Sequence, residues 1–342
     1  DGYAKYVDMP VNWCEELGTV LSNDEVIDGK SERGGYPVIR KNMKQLCIDQ
    51  AAFAERLLEG LNEIDWPEST KEMQRNWIGR STGVEVQFDI VDGGKFSIFT
   101  TCIETIYGIT FMVLAPDGDL VQELMPRIKN QDEVKAYIQE TVSKSEMDRT
   151  ELNKGKTGCR LEGIKAINPV NGREVEVFIG DFVLANYGTG AVMAVPSHDQ
   201  RDFEYAIAHN IDRIQVIEGQ DVSEHAFEKQ DYLGKGCKLI NSEEFTGLTV
   251  EEAKVAITKK LVDMGIAKET VNYRFREWIF ARQRYWGEPV PIVHLEDGTD
   301  YVLPDEELPL ILPELEDYKG HNGKAPLENA TEWKQYNQNG VK

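Results

Sequence analysis

The chain has 342 residues, 41% hydrophobic and 29% charged, a soluble globular balance too long for one ordinary core and suited to two or three packed units. No apolar run approaches the roughly 18 residues of a membrane span, and the opening DGYAKYVDMP lacks a signal-peptide core. A net charge of −22 argues against non-specific nucleic-acid binding, which needs a basic surface. The absence of an initiator Met points to a piece of something longer. Five cysteines, Cys14, Cys47, Cys102, Cys159 and Cys237, are scattered without CxxC spacing. That supports neither a disulfide framework nor a zinc knuckle, and a reducing cytoplasm is the plain reading.

Residues 1–75 begin irregular and then turn helical. Ala51 to Ile64 places Phe53, Leu57, Leu58, Leu61 and Ile64 at amphipathic helical spacing, and Pro67 ends the run. From Val84 the pattern alternates: VEVQFDI and KFSIFTT flank an Asp92-Gly93-Gly94 turn and read as a hairpin. ITFMVLA (109–115) is a continuously apolar strand, followed by helical patterns near 119–128 and 132–142. Strands are then expected at CRLEGIKAI, REVEVFIG, DFVLA and GAVMAVP. Ser197 with Gln200 reads as a capping box starting a helix at about His198, and Thr249 with Glu252 caps another running to about Met264. Residues 77–272 thus form a β-rich unit with helices, between more helical flanks, and the acidic segment 303–317 reads as a surface loop or linker.

Two stretches qualify as local basic patches, MQRNWIGRS (73–81) and YRFREWIFARQRYW (273–286). The second sets Arg274, Arg276, Arg282 and Arg284 against Glu277 with aromatics interleaved. A solvated or domain-packing helix is the simpler reading of such a patch. Two polar clusters are candidates for chemistry. Thr100-Thr101-Cys102-Ile103-Glu104-Thr105 follows a strand, so it is either a pocket wall or a Ser/Thr-rich turn. Tyr187-Gly188-Thr189-Gly190 precedes an apolar strand and the helix bearing His198, Asp199 and Asp202, yet it is neither a P-loop nor a GxGxxG. Asp199 can simply complement the helix dipole, and Asp202, on the same face, can meet an ammonium or be solvated. His198 beside a serine cap reads as structural. No HExxH spacing and no GxSxG elbow is present, so no metal site is expected.

Taken in order, VNWCEELGTVL, MQRNWIGRS, ELNKGKTG, YGTGAVMAVPSHDQRDFEYA and REWIFARQRYWGEPVP resemble leucyl-tRNA synthetases of the bacterial type over nearly the whole chain. The resemblance implies an internal fragment of α+β class: a β-barrel editing domain with surrounding helices (77–272), flanked by partial α/β, Rossmann-like catalytic-core segments. The segment 1–76 would carry a degenerate zinc-module-like region, and 273–342 would return to the core and a following linker. It implies hydrolysis of the ester of mischarged tRNA(Leu), bearing norvaline, isoleucine or similar, by a monomer in the cytoplasm, bound to the tRNA acceptor end and the amino-acid moiety and to no membrane. The parent protein would ligate leucine to tRNA(Leu) with ATP and Mg. Neither H-I-G-H nor K-M-S-K-S occurs here, since SKSEMD (143–148) is not that signature, so the fragment is expected to need no cofactor and to edit only.

Residue by residue, the resemblance makes Asp202 the acid holding the substrate's α-amino group and Thr105 the threonine whose bulk excludes a leucyl side chain. Thr100 and Thr101 match the strand beside the ester, with Thr101 in the catalytic set. Tyr187, Gly188, Thr189, Gly190 and Met193 match the opposite wall, and Asp199 joins the substrate-binding set. Two departures stand out. The family's T-T-R-x-D-T reads TTCIET here, placing Cys102 and Glu104 where arginine and aspartate are usual. Only Cys14 remains of a Cys-rich module, so no zinc is expected there. A catalytically silent module binding the tRNA end, or the equivalent domain of an isoleucyl or valyl enzyme, are the alternatives.

Overall fold

Strand β1 (Ala4–Cys14) opens the chain and pairs antiparallel with β2 (Thr19–Leu21). A small β3 (Val26–Ile27)–β4 (Lys30–Ser31) hairpin follows, then β5 (Ile39–Ile48), which runs antiparallel along β1 over ten residue pairs. The computed structural model describes residues 2–142, 149, 157–185, 188–275, 277–280, 284–287, 289–318 and 325–337. It divides into two compact units, Asp1–Gln50 with Glu277–Lys342, and Ala51–Arg276.

The expectation of an irregular start is corrected by β1 and β5. Lys5, Asp8 and Asn12 on β1 and Arg40, Lys41, Asn42 and Lys44 on β5 suit strands that are largely exposed or half-buried, and only a short stretch around Val11, Trp13 and Val20 packs as a core. Strict alternation is absent there, so the period-2 signal is lost. Every described ladder of this unit is antiparallel, so a parallel Rossmann-like arrangement is not what residues 1–50 and 277–342 show.

In the second unit, two helices, α1 (Ala54–Gly60) and α2 (Glu68–Ile78), precede the strands. The amphipathic run is shorter than its spacing predicts. It opens with a 3-10 turn, ends at Gly60, and leaves Leu57 and Ile64 exposed while Leu61 is buried. Pro67 does not merely stop a helix but stands at the N-cap of α2, where its missing N–H costs nothing.

The predicted hairpin forms as β6 (Ser81–Ile90) and β7 (Lys95–Thr100), with Asp92, Gly93 and Gly94 all at positive φ in the turn. Next come β8 (Phe111–Leu114), α3 (Asp119–Leu124), α4 (Gln131–Val142), β9 (Gly158–Ile167), β10 (Glu174–Gly180) and β11 (Ala191–Ala194). Helices α5 (Gln200–Ala208), α6 (Lys229–Tyr232) and α7 (Val250–Asp263) and strand β12 (Ala267–Asn272) complete the unit. In the first unit the chain adds β13 (Trp278–Ile279) to β5, then the β14 (Ile292–His294)–β15 (Asp300–Val302) hairpin. DFVLA, expected as a strand, is a turn. The buried Arg149 takes the Asp181 and Val183 carbonyls, at 2.8 Å each, that a neighbouring strand would otherwise need.

The seven-stranded sheet runs β11-β8-β10-β9-β6-β12, with β7 also on β6. The class is α+β, as expected, but the barrel is corrected. No described sheet closes: β7 and β11 lie side by side without ladder hydrogen bonds between them. Strand β8 is apolar throughout because both its faces are buried. Met112 and Leu114 enter the main core with Phe88, Ile98, Leu161 and Ile179, while Phe111 and Val113 meet Phe178, Tyr205 and Ala206. That second cluster seats α5 on the sheet, with Phe111 stacked on Tyr205 at 5.2 Å. The Thr249–Glu252 capping box forms as expected and starts α7.

Candidate editing site

Thr100 ends β7 and is buried, and its Oγ1 accepts the Cys102 N–H at 3.0 Å, turning the chain off the strand. The Cys102 carbonyl then accepts both the N–H and the hydroxyl of Thr105, at 3.1 and 2.8 Å. A 3-10 helix over Ile103–Gly108 follows, wholly buried, with Ile103, Ile106 and Tyr107 in the main core. Lys254, on α7, donates from Nζ to the Thr101 carbonyl at 2.9 Å. The cluster is therefore a Ser/Thr-type turn and a structured wall at once. Thr100 and Thr105 spend their hydroxyls inside it, whereas Thr101 and Cys102 stay partly exposed, Oγ1 to Sγ 3.6 Å. With its hydroxyl committed, the buried Thr105 side chain keeps only its methyl group outside the hydrogen bonding.

Strand β7 lies beside β11, which the glycine loop precedes. Gly188 and Gly190 both take positive φ, which L side chains adopt at a cost, and the Gly190 carbonyl accepts the Ala115 N–H at 2.8 Å. Thr189 is exposed, its hydroxyl donating to the Ala191 carbonyl at 3.2 Å, and Met193 is partly buried opposite Met112. Tyr187 lies outside the described residues.

The capping box at Ser197 is corrected. Asp199 is the N-cap of α5, its carboxylate accepting the N–H groups of Arg201 and Asp202 at 2.9 and 3.0 Å. Ser197 is fully buried with its hydroxyl unpartnered, and the Gln200 side-chain oxygen instead accepts the Ala226 N–H. Asp202 is buried on the face of α5 that turns toward the sheet, and its Oδ2 accepts the Val195 N–H at 3.0 Å, one residue past β11. The strand end and the helix start are thereby tied by a carboxylate in the first helical turn, where the helix dipole favours its charge.

His198 is structural, as expected. Its Nδ1 donates to the Phe227 carbonyl and its Nε2 accepts the Val216 N–H, both at 3.0 Å, so neither nitrogen is free for proton transfer. Burial pushes its pKa down to about 4 from the ordinary 6.5, the Phe227 hydrogen bond opposing weakly. Between pH 6.5 and 4 the unfolded chain takes a proton that the folded one refuses. Stability is therefore full above 6.5 and falls as pH drops toward 4, by on the order of 3 kcal/mol. Urea midpoints from pH 7 to 4.5 should show this slope in the parent and a flatter one in His198→Gln. Glu104, whose pKa burial raises, pulls the other way in both proteins and cancels in the comparison. Equal slopes would remove His198 from the balance.

The basic stretches are less basic than their composition. Arg75 pairs with Glu68 and Glu72, at 2.5 and 2.6 Å. Arg80 pairs with Glu55 at 2.7 Å and Arg284 with Glu25 at 2.8 Å. Arg274 lays its stem where a side chain at Gly79 would stand. Arg276 and Arg282 lie outside the described residues.

Sequence reasoning missed Tyr232. It is fully buried, with its hydroxyl donating to Glu104 Oε1 at 3.2 Å, 128 residues away in sequence. Glu104 Oε2 has no partner. A single tyrosine in a four-residue helix leaves no periodic signal.

A mixed sheet that carries a hydroxyl-rich turn after β7, a glycine loop before β11 and a buried helix-start carboxylate after it has the fold of an aminoacyl-tRNA editing domain. Residues 75–262, more than half of the chain, match the family described as leucyl-tRNA synthetase, editing domain, and the chain belongs to that family. The matched family is the leucyl one. The chain is also similar to the LeuRS of Agrobacterium radiobacter, solved as a ternary complex with tRNA and LeuAMS. The TM-score is 0.77 at 29% identity, over 99% of this chain and 39% of that one. It thus spans about two fifths of that relative's length. Among the described residues no helix is long and apolar enough to cross a membrane.

Proposed function

We propose that the unit Ala51–Arg276 hydrolyses the ester between a wrong amino acid, norvaline or isoleucine, and the terminal ribose of tRNA(Leu). The observation that carries this reading is the buried Asp202 carboxylate, tied to the end of β11 near the Thr100–Thr105 turn in a chain of the editing family. Asp202 binds the α-ammonium. Thr105 limits side-chain size with its methyl, and Thr101 offers a hydroxyl near the ester, with Thr100 shaping the turn that holds it. The resemblance assigns Tyr187, Gly188, Thr189, Gly190 and Met193 to the other wall, and Asp199 supports the helix start that aims Asp202.

The chemistry is attack of water on the ester carbonyl carbon, formation of a tetrahedral oxyanion, and departure of the ribose oxygen, which takes a proton. His198 is too engaged to act as base, so the rate comes from holding water and ester in line and from donors to the oxyanion. A first binding pocket separates side chains one methylene apart by only ~1–3 kcal/mol, which is why a second, size-limited site is useful. Cys102 is partly exposed and is no cation, so the tRNA end is held without the fork an arginine would supply. Ligation of leucine, with its ATP and Mg, belongs to a longer parent, and a cytoplasmic monomer is the setting proposed for it.

The test is deacylation by this chain of isoleucyl- and norvalyl-tRNA(Leu) beside leucyl-tRNA(Leu). The first two should decay at least about tenfold faster than without protein, and leucyl-tRNA should be spared. Binding without accelerated decay would make the unit a silent tRNA-end module.

A further inference from the structure

We infer that Tyr232 is a positioning residue for the editing step, bracing the hydroxyl-rich turn against the segment that leads into Asp202. The inference rests on the editing reading above. One side of the brace is the Tyr232 hydroxyl, which donates to Glu104 Oε1 and also lies beside the Cys102 thiol. Glu104 and Cys102 belong to the same turn as Thr101 and Thr105. The other side is the Tyr232 ring, edge-on to His198 at 6.0 Å and to Phe227 at 5.8 Å. Phe227 is in turn locked to the entry of α5: its N–H donates to the Ser197 carbonyl at 2.9 Å and its carbonyl takes His198 Nδ1. The residue right after that clamp is the N-cap Asp199, whose carboxylate holds the Asp202 N–H.

A single buried hydroxyl thus couples elements that approach the site from distant parts of the chain. Glu104 is wholly buried and its second carboxyl oxygen has no partner, an arrangement that burial makes costly. Lys254, on the Thr101 carbonyl, fixes the turn to α7 and does nothing to set its distance from α5.

Tyr232→Phe removes the hydroxyl and keeps the ring. With mischarged isoleucyl-tRNA(Leu), kcat should fall about tenfold while KM stays within about twofold, because geometry and not affinity is lost. Glu104→Leu should match it, and Tyr232→Phe/Glu104→Leu should lose no more than either alone, the sign of one shared contact. Glu104→Gln keeps an oxygen for the Tyr232 hydroxyl and should return to within about threefold of the parent. In parallel, hydrogen exchange at the Cys102 and Thr105 amides should quicken at least about fivefold in Tyr232→Phe, with the β6 amides unchanged. Parent-like turnover and exchange in Tyr232→Phe would overturn the brace, as would losses that add in the double mutant. If the parent itself does not deacylate, the editing reading fails, and the exchange measurement alone decides whether Tyr232 braces the turn.

Discussion

Asp202→Ala is expected to abolish hydrolysis of isoleucyl-tRNA(Leu) while the unit keeps its secondary structure. Losing the partner of a desolvated charge costs ~2–5 kcal/mol, so the rate should drop by roughly 30-fold to beyond 10³-fold. Alanine also strands the Val195 N–H, which the carboxylate now accepts at 3.0 Å, and a lost partner there costs ~1–3 kcal/mol of stability. Asp202→Asn separates the two roles. Its side-chain oxygen can still accept from Val195, so the fold should hold as in the parent. The negative charge is gone, so hydrolysis should be nearly as slow as with alanine. Single-turnover deacylation with circular dichroism of parent, Ala and Asn variants decides the matter. An Asn variant that hydrolyses at the parent rate would reduce Asp202 to a structural tie between β11 and α5.

Thr105→Ala should hydrolyse correctly charged leucyl-tRNA(Leu), which the parent spares. The structure sharpens this expectation, because the Thr105 hydroxyl is committed to the Cys102 carbonyl and only its methyl supplies bulk. Thr105→Ser keeps the hydroxyl and removes the methyl, so it too should destroy leucyl-tRNA. Thr105→Val keeps the bulk and drops the hydrogen bond, and should go on sparing it. Relief of a clash about the size of a methyl group is worth ~1–3 kcal/mol, a gain of roughly 10- to 200-fold in leucyl-tRNA decay. Thr105→Phe should overfill the space and block hydrolysis of isoleucyl-tRNA as well. Leucyl-tRNA left intact by both Ala and Ser would take Thr105 out of the sieve and leave it a turn residue inside the fold.

Local chemistry alone determined much of this protein. The β6–β7 hairpin follows from alternation across Asp92-Gly93-Gly94, and α7 from the Thr249–Glu252 box, since turn and cap energies depend on neighbours within four residues. The continuous apolar run ITFMVLA announced a strand, which the fold buries on both faces as β8, and the ordered motifs pointed to the family that residues 75–262 match. Other features were decided by partners far away in sequence. Ser197 and Gln200 have the spacing of a cap, but His198 clamped between Phe227 and Val216 winds the chain through Ser197 into the core and hands the cap to Asp199. DFVLA has the composition of a strand, yet Arg149 claims its carbonyls. The polar, half-exposed β1 and β5 hold together by pairing with each other, which no pattern within either strand records. Tyr232 reaches Glu104 across 128 residues, and β7 and β11 come to lie side by side from distant parts of the chain. Short-range hydrogen bonds are written in adjacent residues, whereas these contacts exist only once a shared apolar core has brought distant segments within reach.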